Sequence, residues 1–308
     1  MYSNLTLALR EQLEYAPVRA ALGVMGRLPR PWARGLGIAV AGGFYLAHRR
    51  LVRVGRRNLA LAFPELEERE RRRLLRRLYR HLGRQMAEFC LLPRLTPGNL
   101  DRVMATAGRE HYLAAVAKGR GVLVLTAHLG AWELSSYGHS VAGYPMKFVI
   151  RPLDNRRLNR LVNDIRGRHG NRPIGKGEFA RGLLQAMADN ETVGVLLDQN
   201  SSPPQGVFVP FFGRAACTAA GPAKIALKTG AAVLPGFTVW EEAQRRYVLY
   251  FEPEIELVRS GDEDADVVEN TARFTAVIER WVRRYPDQWL WVHRRWKTRP
   301  AGEAPLYP

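Results

Sequence analysis

The stretch Val122-Leu-Val-Leu-Thr-Ala-His128-Leu-Gly-Ala-Trp-Glu133-Leu gathers the residue types that proton transfer requires. An apolar run leads into a histidine, then a glycine, then a glutamate five positions after the histidine. Histidine has an unperturbed pKa of about 6.5, so it can take up and return a proton near neutrality. A carboxylate bonded to one ring nitrogen would fix the tautomer and leave the other nitrogen free to act as a base. Inside one helix, five residues correspond to about 500° of rotation and the two side chains would diverge. They can meet if His128 occupies the turn after a strand and Glu133 the first or second turn of the next helix. Ligands in open α/β sheets bind at that same place, beyond the carboxyl ends of the strands. A histidine serving only a helix N-terminus, beside an unrelated surface glutamate, would have the same spacing. Spacing alone leaves both readings open.

Further blocks extend the pattern along the chain: Asn58-Leu-Ala-Leu-Ala-Phe-Pro64, Ile150-Arg151-Pro152, Leu197-Asp198-Gln199, Phe208-Val-Pro-Phe-Phe-Gly213 and Pro286-Asp-Gln-Trp-Leu-Trp-Val-His-Arg-Arg-Trp-Lys-Thr-Arg-Pro300. His-Leu-Gly-Ala-Trp-Glu resembles the H-x4-D/E signature of the lysophospholipid acyltransferase superfamily. With the other blocks in order, from about residue 5 to residue 300, the chain resembles the lipid A biosynthesis late acyltransferases. These are the lauroyl and myristoyl transferases of Gram-negative inner membranes. The resemblance implies that His128 is the catalytic histidine and Glu133 its acidic partner. It also implies that Arg151 and Asp198 are a further arginine and aspartate of the active site. The F-P-E-G-T-R block of glycerol-phosphate acyltransferases is missing after the histidine, and Phe63-Pro-Glu-Leu66 lies before it. That argues against a glycerol-phosphate acceptor and leaves a lysophospholipid open.

The implied reaction moves a fatty acyl chain from an acyl thioester, on acyl carrier protein or coenzyme A, to a hydroxyl of a lipid A precursor or similar glycolipid. Another acceptor, such as a phosphatidylinositol mannoside, would suit the same fold. The implied location is the cytoplasmic face of the inner membrane, peripheral or monotopic. No cofactor and no metal are expected beyond the thioester co-substrate.

Acyl transfer needs a base for the hydroxyl and donors for the developing oxyanion. His128 suits the first task, with Glu133 as its orienter. Arg151 could grip a phosphate of the acceptor or of the donor's arm, since guanidinium matches phosphate geometry, or it could form a surface ion pair with Asp154. Asp198 could orient Arg151 or close a strand before the Ser201-Ser-Pro-Pro turn. The oxyanion donor stays unassigned. The turn after the strand has no G-x-S-x-G nucleophile elbow, and Ser135 and Ser136 lie beyond Glu133. Direct attack by the acceptor hydroxyl is therefore expected, without an acyl-enzyme.

These residues need a scaffold, and the sequence divides at about residue 95. Residues 1–95 read as a basic helical membrane-docking region. Leu5, Leu9 and Leu13 recur every four residues, and Leu74, Leu78, Leu82, Met86 and Phe89 form a longer stripe. Pro64 and the acidic residues Glu65, Glu67, Glu68 and Glu70 stand at the start of the second helix, where they suit its dipole. Arg73, Arg77, Arg80 and Arg84 run down another side, as a solvated face or a membrane-facing one. Residues 35–48 are uncharged but too short for a spanning helix, which wants about 20 apolar residues; a core or interfacial helix is expected. No cleaved signal peptide is evident at the N-terminus.

Residues 96–308 alternate short β-rich runs with helical lengths. Strands are predicted at Val122–Thr126, Lys147–Ile150, Val193–Leu197, Ala232–Trp240 and Tyr247–Glu252, and a last helix ends near Tyr285. Such interleaving predicts an α/β fold with a mostly parallel sheet flanked by helices.

The 308 residues include 47 Lys and Arg against 29 Asp and Glu, a net charge of +18. Residues 1–100 hold 19 Arg and no Lys against 7 acidic residues, so two thirds of the excess lies there. Such a charge seeks anionic lipid, nucleic acid or acidic ligands. Trp281, Trp289, Trp291 and Trp296, interleaved with Arg294, Arg295 and Lys297, could stack on bases, sit at a bilayer interface or pack in the core. A basic nucleic-acid-binding protein is the alternative from another class, although no recognised motif supports it, and no nucleic-acid partner is expected of the enzyme. The two cysteines, Cys90 and Cys217, exclude a disulfide framework; Cys217 reads as a buried thiol ahead of a helix capped by Thr218.

Overall fold

The computed structural model describes residues 2–175 and 179–307. Four helices come first: α1 (Tyr2–Met25), α2 (Arg30–Ala47), α3 (Arg49–Ala62) and α4 (Glu68–Leu91). The acidic cluster works locally. Glu67 caps α4, and its side chain and that of Glu70 form a reciprocal capping box. α2 and α4 cross closely, because Gly37 and Gly83 lack side chains; a Cβ on Gly37 would lie 2.2 Å from the Gly83 carbonyl oxygen. Beside this crossing, the buried Glu88 receives both Arg30 and Arg34.

The rest of the chain runs β1 (Met104–Ala107), α5 (Arg109–Ala117), β2 (Val122–Thr126), α6 (Trp132–Val141), β3 (Lys147–Ile150), α7 (Arg156–Arg166), β4 (Arg172–Gly175) and α8 (Phe179–Ala188). It continues through β5 (Thr192–Leu196), β6 (Gly206–Phe211), β7 (Arg214–Ala219), α9 (Gly221–Thr229), β8 (Ala232–Glu241), β9 (Arg246–Phe251) and α10 (Glu263–Arg284). Seven strands form one sheet in the order β1-β9-β8-β2-β5-β3-β4. Every pairing is parallel except β8 with β9. This is the α/β fold with a mostly parallel sheet that the sequence predicts.

β2 and β5 lie at the centre with layers on both faces, which explains their unbroken apolar runs. The main core joins Leu59, Phe63, Leu75 and Leu78 of the N-terminal helices to Leu123, Val193 and Val233 of the sheet. Trp281, Trp289, Trp291 and Trp296 are buried in that same core. They therefore belong neither to a base-stacking surface nor to an interfacial belt, and the segment that carries three of them after α10 is irregular rather than a strand.

Elsewhere the structure adds to or corrects the sequence reading. β6 and β7 make an antiparallel hairpin through Phe212 and Gly213, both with positive φ, as a primed hairpin turn requires. Thr218 lies in β7 and does not cap α9, and Cys217 beside it is buried as expected. Leu9 and Leu13 point to solvent, whereas the side chain of Leu5 lies outside the described residues. Arg77 and Arg84 reach across to Asp287 and Glu242, so half of the arginine row on α4 is engaged within the protein.

Candidate active site

Register places the site. The last paired residues of β2 and β5 are Thr126 and Leu196, and the pairing is carried one step further by the Leu197 N–H donating to the Thr126 carbonyl. Two residues beyond each strand end stand His128 and Asp198. His128 Nδ1 lies 2.9 Å from Asp198 Oδ1, and the His128 backbone N–H donates to Oδ2 at 2.9 Å. The Trp289 indole N–H also donates to Oδ2, at 2.7 Å. Asp198 is buried, and with three donors around it the carboxylate stays ionised: burial pushes its pKa up, but the imidazole, the indole and the backbone N–H together hold it below the usual range. Burial likewise pushes the imidazole down, but the Asp198 charge and hydrogen bond, aided by Glu133, outweigh it and raise the His128 pKa. With Nδ1–H given to Asp198, the Nε2 lone pair is free to take a proton.

The turn after β2 is held from three sides. The Gly130 N–H donates to the Gln288 carbonyl, the Leu290 N–H to the His128 carbonyl, and the Ala131 N–H to the Thr238 carbonyl at 2.7 Å. Gly130 has φ +61°, and a Cβ there would fall 1.9 Å from the Thr238 oxygen, so the position admits only glycine. The Gln288 side chain bonds both backbone groups of Trp240, which ties the C-terminal segment to β8. Trp132, at the start of α6, sets its ring edge against the His128 ring with centroids 5.2 Å apart.

Glu133 stands in the first turn of α6, as the spacing predicts, but its partner is different. Its carboxylate faces Arg166 at the end of α7: Nε donates to Oε2 at 2.8 Å, and Nη2 meets Oε1. The expectation that Glu133 orients the histidine is therefore corrected. Asp198 reaches Nδ1 first because its strand runs beside that of His128, whereas Glu133 sits one helical turn away and influences the imidazole by charge. Asp198 does not orient Arg151. Arg151 is 77% exposed and lies 3.6 Å from the still more exposed Asp154, in the surface ion pair.

Sequence reasoning missed Arg166, because nothing in Asn-Asp-Ile-Arg distinguishes it from the other arginines of α7. It also missed how the C-terminal block works. Arg295 is fully buried and donates to the carbonyls of Gln199 (3.1 Å) and Cys217 (2.9 Å) and to the Thr218 hydroxyl (2.6 Å). Burial lowers its pKa to about 10, leaving it charged at neutral pH. His293 Nε2 accepts the Asn200 N–H at 3.0 Å, and burial keeps that imidazole's pKa below its ordinary value. Together these contacts pin the Leu197–Asn200 strand end to the C-terminal segment. Gln199 Nε2 lies 3.4 Å from His128 Nε2.

The arrangement is a buried carboxylate and a partly exposed imidazole whose Nε2 meets only the long Gln199 contact. Such a pair has the chemistry to act as a general base. Residues 4–298 match the family described as bacterial lipid A biosynthesis acyltransferase. The chain belongs to this family. Membership in the lipid A biosynthesis acyltransferase family makes the protein an acyltransferase, and its relatives agree. It is 29% identical over 300 residues to the lipid A biosynthesis palmitoleoyltransferase of Escherichia coli, covering 96% of this chain and 90% of that one. The E. coli lipid A biosynthesis lauroyltransferase is 28% identical, with 93% and 92% covered. The phosphatidylinositol mannoside acyltransferase of Mycolicibacterium smegmatis is 28% identical over 86% of each chain.

Proposed function

We propose that the protein transfers a fatty acyl chain from a thioester, on acyl carrier protein or coenzyme A, to a hydroxyl of a lipid A-type glycolipid. The observation that carries this reading is the His128–Asp198 pair at the adjacent ends of β2 and β5, with Nε2 unblocked by any strong partner. In this scheme His128 Nε2 takes the proton of the acceptor hydroxyl as its oxygen attacks the thioester carbonyl. The carbonyl π pair moves onto oxygen, and the tetrahedral intermediate then collapses with loss of thiolate. The imidazolium returns its proton to the departing sulfur. Asp198 fixes the tautomer and stabilises the imidazolium, and the Glu133–Arg166 pair sets the charge beyond it. A thioester is already activated, so an acyl-enzyme would add a step without easing a hard one.

The acceptor is amphiphilic, and the surface suits a bilayer. Trp32 (73% exposed), Phe44, Leu46 and Leu51 stand out from α2 and α3, beside the exposed Arg49, Arg50 and Arg53. Aromatic and apolar side chains among arginines favour an anionic membrane surface, with about 1 kcal/mol per basic residue near the lipid. Among the described residues, no helix is long and apolar enough to cross a membrane. Peripheral or monotopic docking on the cytoplasmic face of the inner membrane is the proposed location. A phosphatidylinositol mannoside acceptor is the second reading, favoured by the mycobacterial relative.

The test offers acyl chains of several lengths, as carrier-protein and coenzyme A thioesters, with a lipid A precursor, a phosphatidylinositol mannoside and a lysophospholipid. Product masses are read. His128→Ala is expected to lower turnover by about 10²–10⁴ while leaving the fold intact. A variant that keeps more than about a tenth of the wild-type rate would remove His128 from the mechanism.

A further inference from the structure

Acyl transfer by His128 also requires a donor for the developing oxyanion. In many acyl-transfer sites the donors are backbone N–H groups of the turn that carries the reacting side chain. Here three of those groups are engaged: the N–H of His128 donates to Asp198, that of Gly130 to Gln288 and that of Ala131 to Thr238. A side-chain donor, by contrast, stands beside His128 Nε2 itself. The Gln199 amide nitrogen lies 3.4 Å from Nε2. Asp198 holds the proton on Nδ1, so Nε2 is an acceptor, and only the amide N–H₂ end of Gln199 can face it. That end cannot turn its oxygen inward without setting two lone pairs against each other.

Gln199 is also held as a reacting group should be. Its backbone carbonyl accepts Arg295, which is fully buried. The next residue, Asn200, gives its N–H to His293 and its side-chain amide to Ser201 and Thr298. The residue itself is exposed. The backbone is thus held by hydrogen bonds while the amide stays accessible.

We infer that Gln199 is a catalytic residue whose amide N–H donates to the oxyanion of the tetrahedral intermediate. The inference rests on the proposed acyl transfer. In the free protein the amide makes a long contact with Nε2. When the acceptor hydroxyl replaces it as the partner of Nε2, the amide stands one hydroxyl away from the carbonyl under attack. The acceptor oxygen forms its bond to the carbonyl carbon, its proton passes to Nε2, and the carbonyl π electrons collect on the oxygen that Gln199 faces. As the C–O double bond re-forms, the C–S bond breaks and the thiolate takes the proton from the imidazolium. The hydrogen bond is strongest in the middle of this sequence, where it lowers the barrier without tightening substrate binding.

The experiment compares wild type, Gln199→Ala and Gln199→Glu with dodecanoyl thioester donors and a lipid A precursor. A dodecyl trifluoromethyl ketone, whose hydrate mimics the tetrahedral intermediate, serves as inhibitor. Loss of one oxyanion donor is expected to lower kcat about 10²–10³-fold, with KM for the donor within about twofold and an unchanged acid limb for the alanine variant. Ketone affinity should fall in proportion to kcat. Gln199→Glu should lose as much and also move the acid limb upward, because a second carboxylate beside Nε2 favours the imidazolium. A merely structural role would lower the melting temperature and leave the ratio of ketone affinity to kcat uncorrelated. Gln199→Ala within about threefold of wild type, or with undiminished ketone affinity, would overturn the assignment. Wild type that makes no acyl product from any donor and acceptor, yet binds the ketone, would bring down the acyl-transfer reading instead.

Discussion

His128 and Asp198 lie 70 positions apart in the chain, and each is where it is because the other strand runs parallel beside its own. The aspartate holds the proton on Nδ1, and two further donors keep the aspartate charged. Glu133 and Arg166 make a second, partly buried pair, each side chain 22% exposed. Its meaning is testable apart from the first pair. Glu133→Gln keeps a hydrogen bond to Arg166 but removes a charge that raises the His128 pKa, so its acid limb should move to lower pH with a modest loss of rate. Glu133→Leu strands Arg166 and should cost more. In a double-mutant cycle with Arg166→Ala, read by denaturant unfolding, a coupling of about 0.5–3 kcal/mol is expected. A coupling of zero would mean that Arg166 does not hold Glu133.

At the scale of elements, the central strands were legible because burial on both faces leaves an apolar run that no helix of that length would show. Val122–Thr126 and Lys147–Ile150 fall where the sequence places them, and the others within a residue or so. The edge strands β1 and β4 escaped, since Met-Ala-Thr-Ala and Arg-Pro-Ile-Gly carry little β signal; an edge tolerates the Pro173 that a central strand would not. In the site, His128 and the helical place of Glu133 could be read from local spacing. The Asp198 bond could not, because it depends on which strands are neighbours, and a pattern along the chain does not contain strand order. The α2–α4 crossing was equally hidden in two glycines 46 positions apart. Gly83→Val is expected to push these backbones apart and cost about 1–3 kcal/mol, measured by thermal or denaturant unfolding. It should reduce activity only as far as the fold is lost, and an unchanged stability would contradict the close contact.

The whole molecule joins a basic helical face to a sheet whose strand ends hold the chemistry. Because α3 and α4 share their core with β2 and β5, a bilayer under the N-terminal helices would sit at a fixed distance from the site. If charge and apolar insertion both hold the protein there, salt and detergent should separate them. At 1 M salt the Debye length falls to about 3 Å, and partial release from anionic vesicles is expected, with full release only in detergent. Trp32→Ser with Leu46→Ser should make salt release complete. Sedimentation with vesicles measures it, and a protein that never sediments with them in low salt would exclude the docking face. The central claim is that one imidazole, poised by one buried carboxylate, serves as the base. It is tested most directly by the pH dependence of kcat/KM in wild type and Asp198→Asn. The base works when neutral, and its raised pKa means that wild-type activity should climb through a limb above about 6.5. Asparagine removes the charge that favours the imidazolium and offers an N–H₂ to Nδ1, so the limb should shift to lower pH and the plateau fall by about 10²–10⁴. An Asp198→Asn enzyme with the wild-type plateau and an unmoved limb would contradict the account.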